Sequence, residues 1–221
     1  MRRKKSIIPR SVDWRSNLEA LTRCVGNLSV RDARGREIEP DLGFAIWKRH
    51  IQDVRSLRNS VFLVGNGASA SMASHIAADL AKNAHVRTEV FSDLSLITAV
   101  ANDISYEEVF AEPLRRRMLA GDALVAISSS GRSPNVLRAV SAATNLAGLT
   151  VTLSAMNEDN PLRSSGWLNF YVPANTYGLA ETSHAAILHH LVDLMTADLD
   201  AEWAAGESGL KLNSEATPCL V

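Results

Sequence analysis

The chain has 221 residues, 46% hydrophobic and 21% charged, enough for one large domain with its own core. Its 23 basic and 24 acidic residues leave a net charge of −1, which excludes a global electrostatic attraction to nucleic acid or to an anionic membrane. Nothing reaches membrane-spanning length, the basic start MRRKKSIIPR lacks the apolar region of a secretory signal, and Cys24 and Cys219 are too few for a disulfide framework, so a cytoplasmic protein is expected.

In chain order, residues 11–25 and 41–58 have helical apolar spacing and flank a polar loop at 26–40. Trp14, Leu18, Leu21, Phe44, Ile46 and Trp47 give these helices apolar faces that one sheet is not expected to cover fully. Short β-branched or apolar runs follow at 61–65, 87–91, 123–128, 149–154 and 168–172, each separated from the next by a segment of helical character. That alternation predicts an α/β fold, a five-stranded parallel sheet flanked by helices, with an N-terminal helical extension. A last helix is expected at about 179–201 before a mobile tail. The expected organisation is an extension over residues 1–40, a sheet domain over 41–202 and a tail over 203–221.

Ligands of open parallel sheets bind beyond the carboxyl ends of the strands, where free amides at helix N-termini attract anions. Two corners have that composition. The run VAISSSGRSPN places Ser128, Ser129, Ser130, Gly131 and Ser133 between a strand and a helix, with Ser133 as the expected N-cap and Pro134 in the first turn. Upstream, Gly65-Asn66-Gly67-Ala68-Ser69 makes a second strand-to-helix corner. Its glycine spacing also fits a dinucleotide fingerprint, with Glu89 or Asp93 as the ribose acid. A nicotinamide would leave the serine corner unexplained, whereas a phosphorylated sugar clasped between two strand ends would use both.

The stretches GNGASASMASHIAADL, ITAVANDISYEEVFAEPL, GDALVAISSSGRSPNVLRA and ETSHAAILHHLVDLM together resemble the phosphosugar-binding SIS domain, in its phosphoheptose isomerase branch, over roughly residues 40–200. The resemblance implies a flavodoxin-like three-layer sandwich and a homotetramer with sites at subunit interfaces. It implies sugar and phosphate contacts at Asn66, Gly67, Ala68 and the neighbouring Ser69, at Asn102 and Asp103, at Ser128, Ser129, Ser130 and Ser133, and at Glu181. It also implies a zinc site on His75, Asp79, Glu181 and His189, where the family pattern has glutamate at the position of Asp79 and glutamine at that of Glu181. His75 and Asp79 are spaced i, i+4 and share a helix face. Glu181 and His189 are about two turns apart with an offset near 80°, so their convergence needs a loosened helix start.

The activity implied is interconversion of sedoheptulose 7-phosphate, or a similar ketose phosphate, and an aldoheptose 7-phosphate through an enediol, feeding heptose biosynthesis, with Asp79 as carbon base and His189 as acid/base partner. The alternative is a non-catalytic module that binds a sugar phosphate or a protein partner, like the replication-initiator-associating relatives of the family. The basic runs at Arg2-Arg3-Lys4-Lys5 and Arg115-Arg116-Arg117 would serve such a partner.

Overall fold

Five apolar or β-branched runs become parallel strands; four are buried almost throughout on both faces, and the edge strand at 87–90 is only partly buried. The computed structural model describes residues 13–146 and 148–214, with side chains to residue 197. The strands are β3 (Ser60–Gly65), β4 (Arg87–Val90), β5 (Ala123–Ser128), β6 (Leu149–Ala155) and β7 (Leu168–Val172), within one residue of the expected runs. They alternate with helices α3 (Ala68–Ala84), α4 (Leu94–Asp103), α5 (Ala111–Arg117) and α6 (Pro134–Asn145).

The 26–40 segment is not a plain loop. It folds into strands β1 (Ser29–Asp32) and β2 (Glu37–Ile38), which lengthen the sheet to seven strands in the order β2-β1-β7-β6-β5-β3-β4. β1 pairs antiparallel with β7, Val30 opposite Phe170, and so covers an edge that would otherwise be open. Asp32 closes the turn by accepting from the amides of Arg34 (2.9 Å) and Arg36 (3.0 Å), while Gly35 takes φ 74°. The guanidinium of Arg163, only 4% exposed as a residue, pins the hairpin: it lies 4.1 Å over the Tyr171 ring, donates to Ser29 Oγ at 2.8 Å and pairs with Glu158 at 2.9 Å and Glu37 at 3.4 Å. These polar strands carry one buried apolar residue, Val30, so alternation could not reveal them.

Alternate residues of β3 supply two cores. Val61 and Leu63 face α1 (Trp14–Gly26), α2 (Pro40–Ser56), α3 and α7 (Tyr177–Ser214); Phe62 and Val64 face α4, α5 and α6. The extension therefore divides: Phe44 and Trp47 of α2 are buried against Phe170, each ring 5.0 Å from it, while Trp14, Leu18 and Leu42 stay exposed. Helix α7 continues past the expected end at 201 to Ser214, because isolated glycines cost a helix about 1 kcal/mol each without ending it. The rest of the expected tail, 215–221 with Cys219, lies outside the described residues.

Two contacts lock the carboxyl ends of the central strands. His184 of α7 is fully buried and donates from Nε2 to the carbonyl of Ser154 at 3.1 Å, while its buried Nδ1 has no partner among the described residues. Gly131, at φ 61°, lies so close to Asn160 that a Cβ would sit 1.9 Å from its Oδ1; the Leu162 amide donates to the Gly131 carbonyl at 3.1 Å. Replacing Gly131 by Ala combines a left-handed backbone with a clash and is expected to lower the unfolding free energy by about 3 kcal/mol in a denaturant titration; an unchanged midpoint would refute the packing described.

Burial lowers the His184 pKa from 6.5 to about 4, against the smaller opposing effect of its bond to Ser154. Above pH 6.5 neither state of the chain holds this proton; as pH falls toward 4, the unfolded chain takes it up and the folded chain does not, so stability drops. Between pH 7 and pH 5 the natural chain should lose about 2 kcal/mol more than a His184→Gln variant. Parallel pH profiles in urea unfolding would show that the imidazole is not held neutral.

Candidate functional site

Counting only the parallel strands in chain order, the sheet runs 2-1-3-4-5, and the order reverses between β3 and β5. The loops leaving these two neighbours turn to helices on opposite faces, α3 and α6, and open a crevice. Both corners singled out in the sequence leave exactly these two strands.

At the first corner the chain is forced close. A Cβ on Gly65 would lie 2.7 Å from Ser69 Cβ, and Gly67, at φ 56°, starts α3 from a left-handed conformation. The amides of Ser69 and Ala70 donate back to the carbonyls of Asn66 and Gly67, both at 3.0 Å, while those of Gly67 and Ala68 have no partner among the described residues. Ser69 itself is buried.

At the second corner Ser128 and Ser129 are buried and Ser130 and Ser133 half-buried. Ser133 precedes α6 as expected but does not cap it with its side chain; its hydroxyl lies 3.1 Å from that of Ser128. The Ser130 hydroxyl accepts from the Arg132 amide at 3.3 Å. The two corners are bonded to each other through Asn66 and Asn135, whose side-chain amides each donate to the other at 2.9 Å. Sequence reasoning passed over Asn135 and also Tyr106, whose phenol donates to Asn66 Oδ1 at 3.3 Å. The position of Asn135 one residue past Pro134, at the mouth of the serine corner, was the available signal for the first.

Asn102 and Asp103 end α4, exposed and bonded to each other at 2.8 Å. Asp103 also lines a cleft of about 330 Å³ between α4 and α5, with Leu96, Glu112 and Arg116. The two acids a dinucleotide would need are engaged elsewhere: Glu89 pairs with Arg117, and Asp93 caps α4 at the Leu96 amide, 2.9 Å. The basic run is also neutralised, since Arg115 reaches Glu108 at 2.8 Å and Arg116 reaches Glu112 at 2.8 Å. Arg2 to Lys5 lie outside the described residues.

Where α3 packs on α7, three of the four expected metal ligands come together. His75, Asp79 and His189 each offer a donor atom within 4.8 Å of the others. His75 Nε2 and Asp79 Oδ2 are 3.3 Å apart, and the rings of His75 and His189 meet edge to face at 5.2 Å. Asp79, one methylene shorter than glutamate, thus still reaches the group. Glu181 is not among the three, for a helical reason: two turns with an offset near 80° carry it to another side of α7 than His189. Two imidazole nitrogens and a carboxylate oxygen are a donor set that suits zinc and leaves one tetrahedral position to another ligand. His190 points away, its ring edge-on to Phe44 at 4.6 Å, and His184 serves the core. Among the described residues no helix is long and apolar enough to cross a membrane.

A family model for the SIS domain matches residues 48–154. The phosphoheptose isomerase of Geobacter sp. (strain M21) is 30% identical over 176 residues, 77% of this chain and 90% of that protein. Among solved structures, a phosphoheptose isomerase from Francisella tularensis superposes with a TM-score of 0.70 at 22% identity, over 83% of this chain and 94% of that one. The Vibrio vulnificus NanR protein complexed with ManNAc-6P shares the fold at a TM-score of 0.59 and 19% identity, over 91% of this chain and 66% of that one. With its strand order, its two adjoining strand-to-helix corners and a 30% identical relative matched over 90% of that protein's length, the chain belongs to the phosphoheptose isomerase family of SIS-domain proteins.

Proposed function

We propose that the chain is a ketose–aldose isomerase that converts sedoheptulose 7-phosphate into an aldoheptose 7-phosphate, feeding heptose synthesis. The observation that carries this reading is the direct bonding of the two anion corners at the strand-order reversal, with a His–Asp–His group on the helices that rise from the same sheet. In this reading the phosphate is held by Ser128, Ser129, Ser130 and Ser133, and the sugar by Asn66, Gly67, Ala68, Ser69, Asn102, Asp103 and Glu181. No cation is needed at the phosphate, because amides and hydroxyls at helix N-termini stabilise it.

Asp79 takes a proton from C1 of the ketose, next to the C2 carbonyl, and returns it to C2. His189 moves the hydroxyl proton from O1 to O2, so that the enediol collapses to the aldehyde at C1. A zinc ion held by His75, Asp79 and His189 would supply polarisation of the sugar oxygens. The exposed apolar face of α1, with Trp14 and Leu18, is assigned to a homotetramer whose neighbouring subunits cover the exposed histidines. A domain spanning residues 41–202, with 1–40 as its extension, and a cytoplasmic location belong to the same reading.

The test is NMR of the purified protein with sedoheptulose 7-phosphate in heavy water and added zinc. Deuterium should enter C1 and aldose signals should appear, and Asp79→Asn should slow exchange by at least about 100-fold. Phosphorus shifts without deuterium entry would instead favour a sugar-phosphate-binding module; that second reading has support in the fold shared with a ManNAc-6P-bound protein. Zinc content measured by plasma emission should fall sharply in His75→Ala and His189→Ala, and zinc retained in both would remove the metal from the scheme.

A further inference from the structure

The two amides that join the corners are not interchangeable. Asn135 is 2% exposed, and its Oδ1 accepts from the Val136 backbone amide at 3.0 Å. A backbone amide can only donate, so this bond decides which end of the Asn135 side chain is oxygen. Its nitrogen is thereby directed at Asn66 Oδ1, and its oxygen receives Asn66 Nδ2, each at 2.9 Å. Asn66 Oδ1 then takes a second bond from Tyr106 Oη at 3.3 Å, which fills both of its lone pairs. Of the four hydrogen-bonding positions of the Asn66 amide, three are committed, and one N–H remains.

We propose that Asn135 is a positioning residue for the sugar-phosphate site, holding the Asn66 amide so that a single Nδ2–H is offered to the ligand, with Tyr106 as the second support. Asn66 therefore recognises only an acceptor: a phosphate oxygen, a carbonyl oxygen or the lone pair of a hydroxyl. It does not accept from a sugar hydroxyl. The Asn66 amide is tied in this way both to the start of α6 and to the segment that joins α4 and α5.

The proposal rests on the sugar-phosphate reading of the site and not on turnover, so the readout is equilibrium binding. Affinities for sedoheptulose 7-phosphate and for inorganic phosphate are measured by titration calorimetry on the natural chain, Asn66→Ala, Asn135→Ala, and the double variant. Loss of one charge-assisted hydrogen bond should weaken binding about tenfold in each single variant. Because Asn135 acts through Asn66, the double variant should also be weakened about tenfold, not about 100-fold. Tyr106→Phe, which deletes one hydroxyl from an exposed side chain, should weaken binding several-fold alone and have no effect in the Asn66→Ala background.

Asn135→Leu keeps the buried volume and stands in the cycle if Asn135→Ala does not fold. Additive losses, or natural affinity in Asn135→Leu, would overturn the proposal, because a residue that only fills space lowers the melting temperature without coupling to Asn66. The two readings fail separately. Absent deuterium exchange with non-additive binding removes the isomerase alone, and exchange with additive binding removes the positioning role alone.

Discussion

The reversal of strand order between β3 and β5 is the constraint on which the rest of the molecule depends. Adjacent parallel strands whose crossovers run to opposite faces send their following loops apart, which leaves a crevice above them. Everything placed at that edge serves to hold its two walls at one distance. Gly65 and Gly67 let the first wall turn within a few residues, and Gly131 lets the second approach Asn160. The reciprocal amides of Asn66 and Asn135 close the gap with two bonds of 2.9 Å.

The polar chemistry of the molecule is divided. The crevice itself carries neutral donors, the hydroxyls of Ser128, Ser129, Ser130 and Ser133 and the amides that open α3. Apart from the crevice, where α3 packs on α7, lie the imidazoles of His75 and His189 and the carboxylate of Asp79. The three arginines of α5 are drawn into ion pairs with Glu89, Glu108 and Glu112. An anion placed in the crevice would meet oriented dipoles, which fix position through geometry, where flexible cations would bind it with less directional control.

Buried polar groups hold this frame in register. His184 fastens the start of α7 to the end of β6, and since α7 also bears His189, the bond to Ser154 sets the height of that imidazole against α3. Arg163 does the same at the far edge, where its guanidinium joins Ser29, Glu37 and Glu158 around the Tyr171 ring. Such groups are costly to bury without partners. Partnered, they leave each element few alternative positions.

The periodicity of hydrophobic residues was sufficient to locate the five parallel strands, most of their helices and the two corners, since each of these signals is written in adjacent residues. Ser128 to Ser133 and Asn66 to Ser69 were legible as strand-to-helix corners because glycine and serine mark such turns in adjacent residues. His75 and Asp79 were legible as a pair because i, i+4 spacing is itself a statement of proximity. The β1–β2 hairpin was not, because its strands are polar and acquire their pairing only from the open edge of β7. Nor was the burial of Phe44 and Trp47 within the chain, which depends on where Phe170 lies. Local pattern by itself determined the elements and the kinds of residue at their ends. Which ends meet, with His189 arriving beside His75, Glu181 left outside that group and Asn135 arriving opposite Asn66, was decided by tertiary structure alone, because contacts between residues far apart in the chain follow from the order and handedness of packed elements.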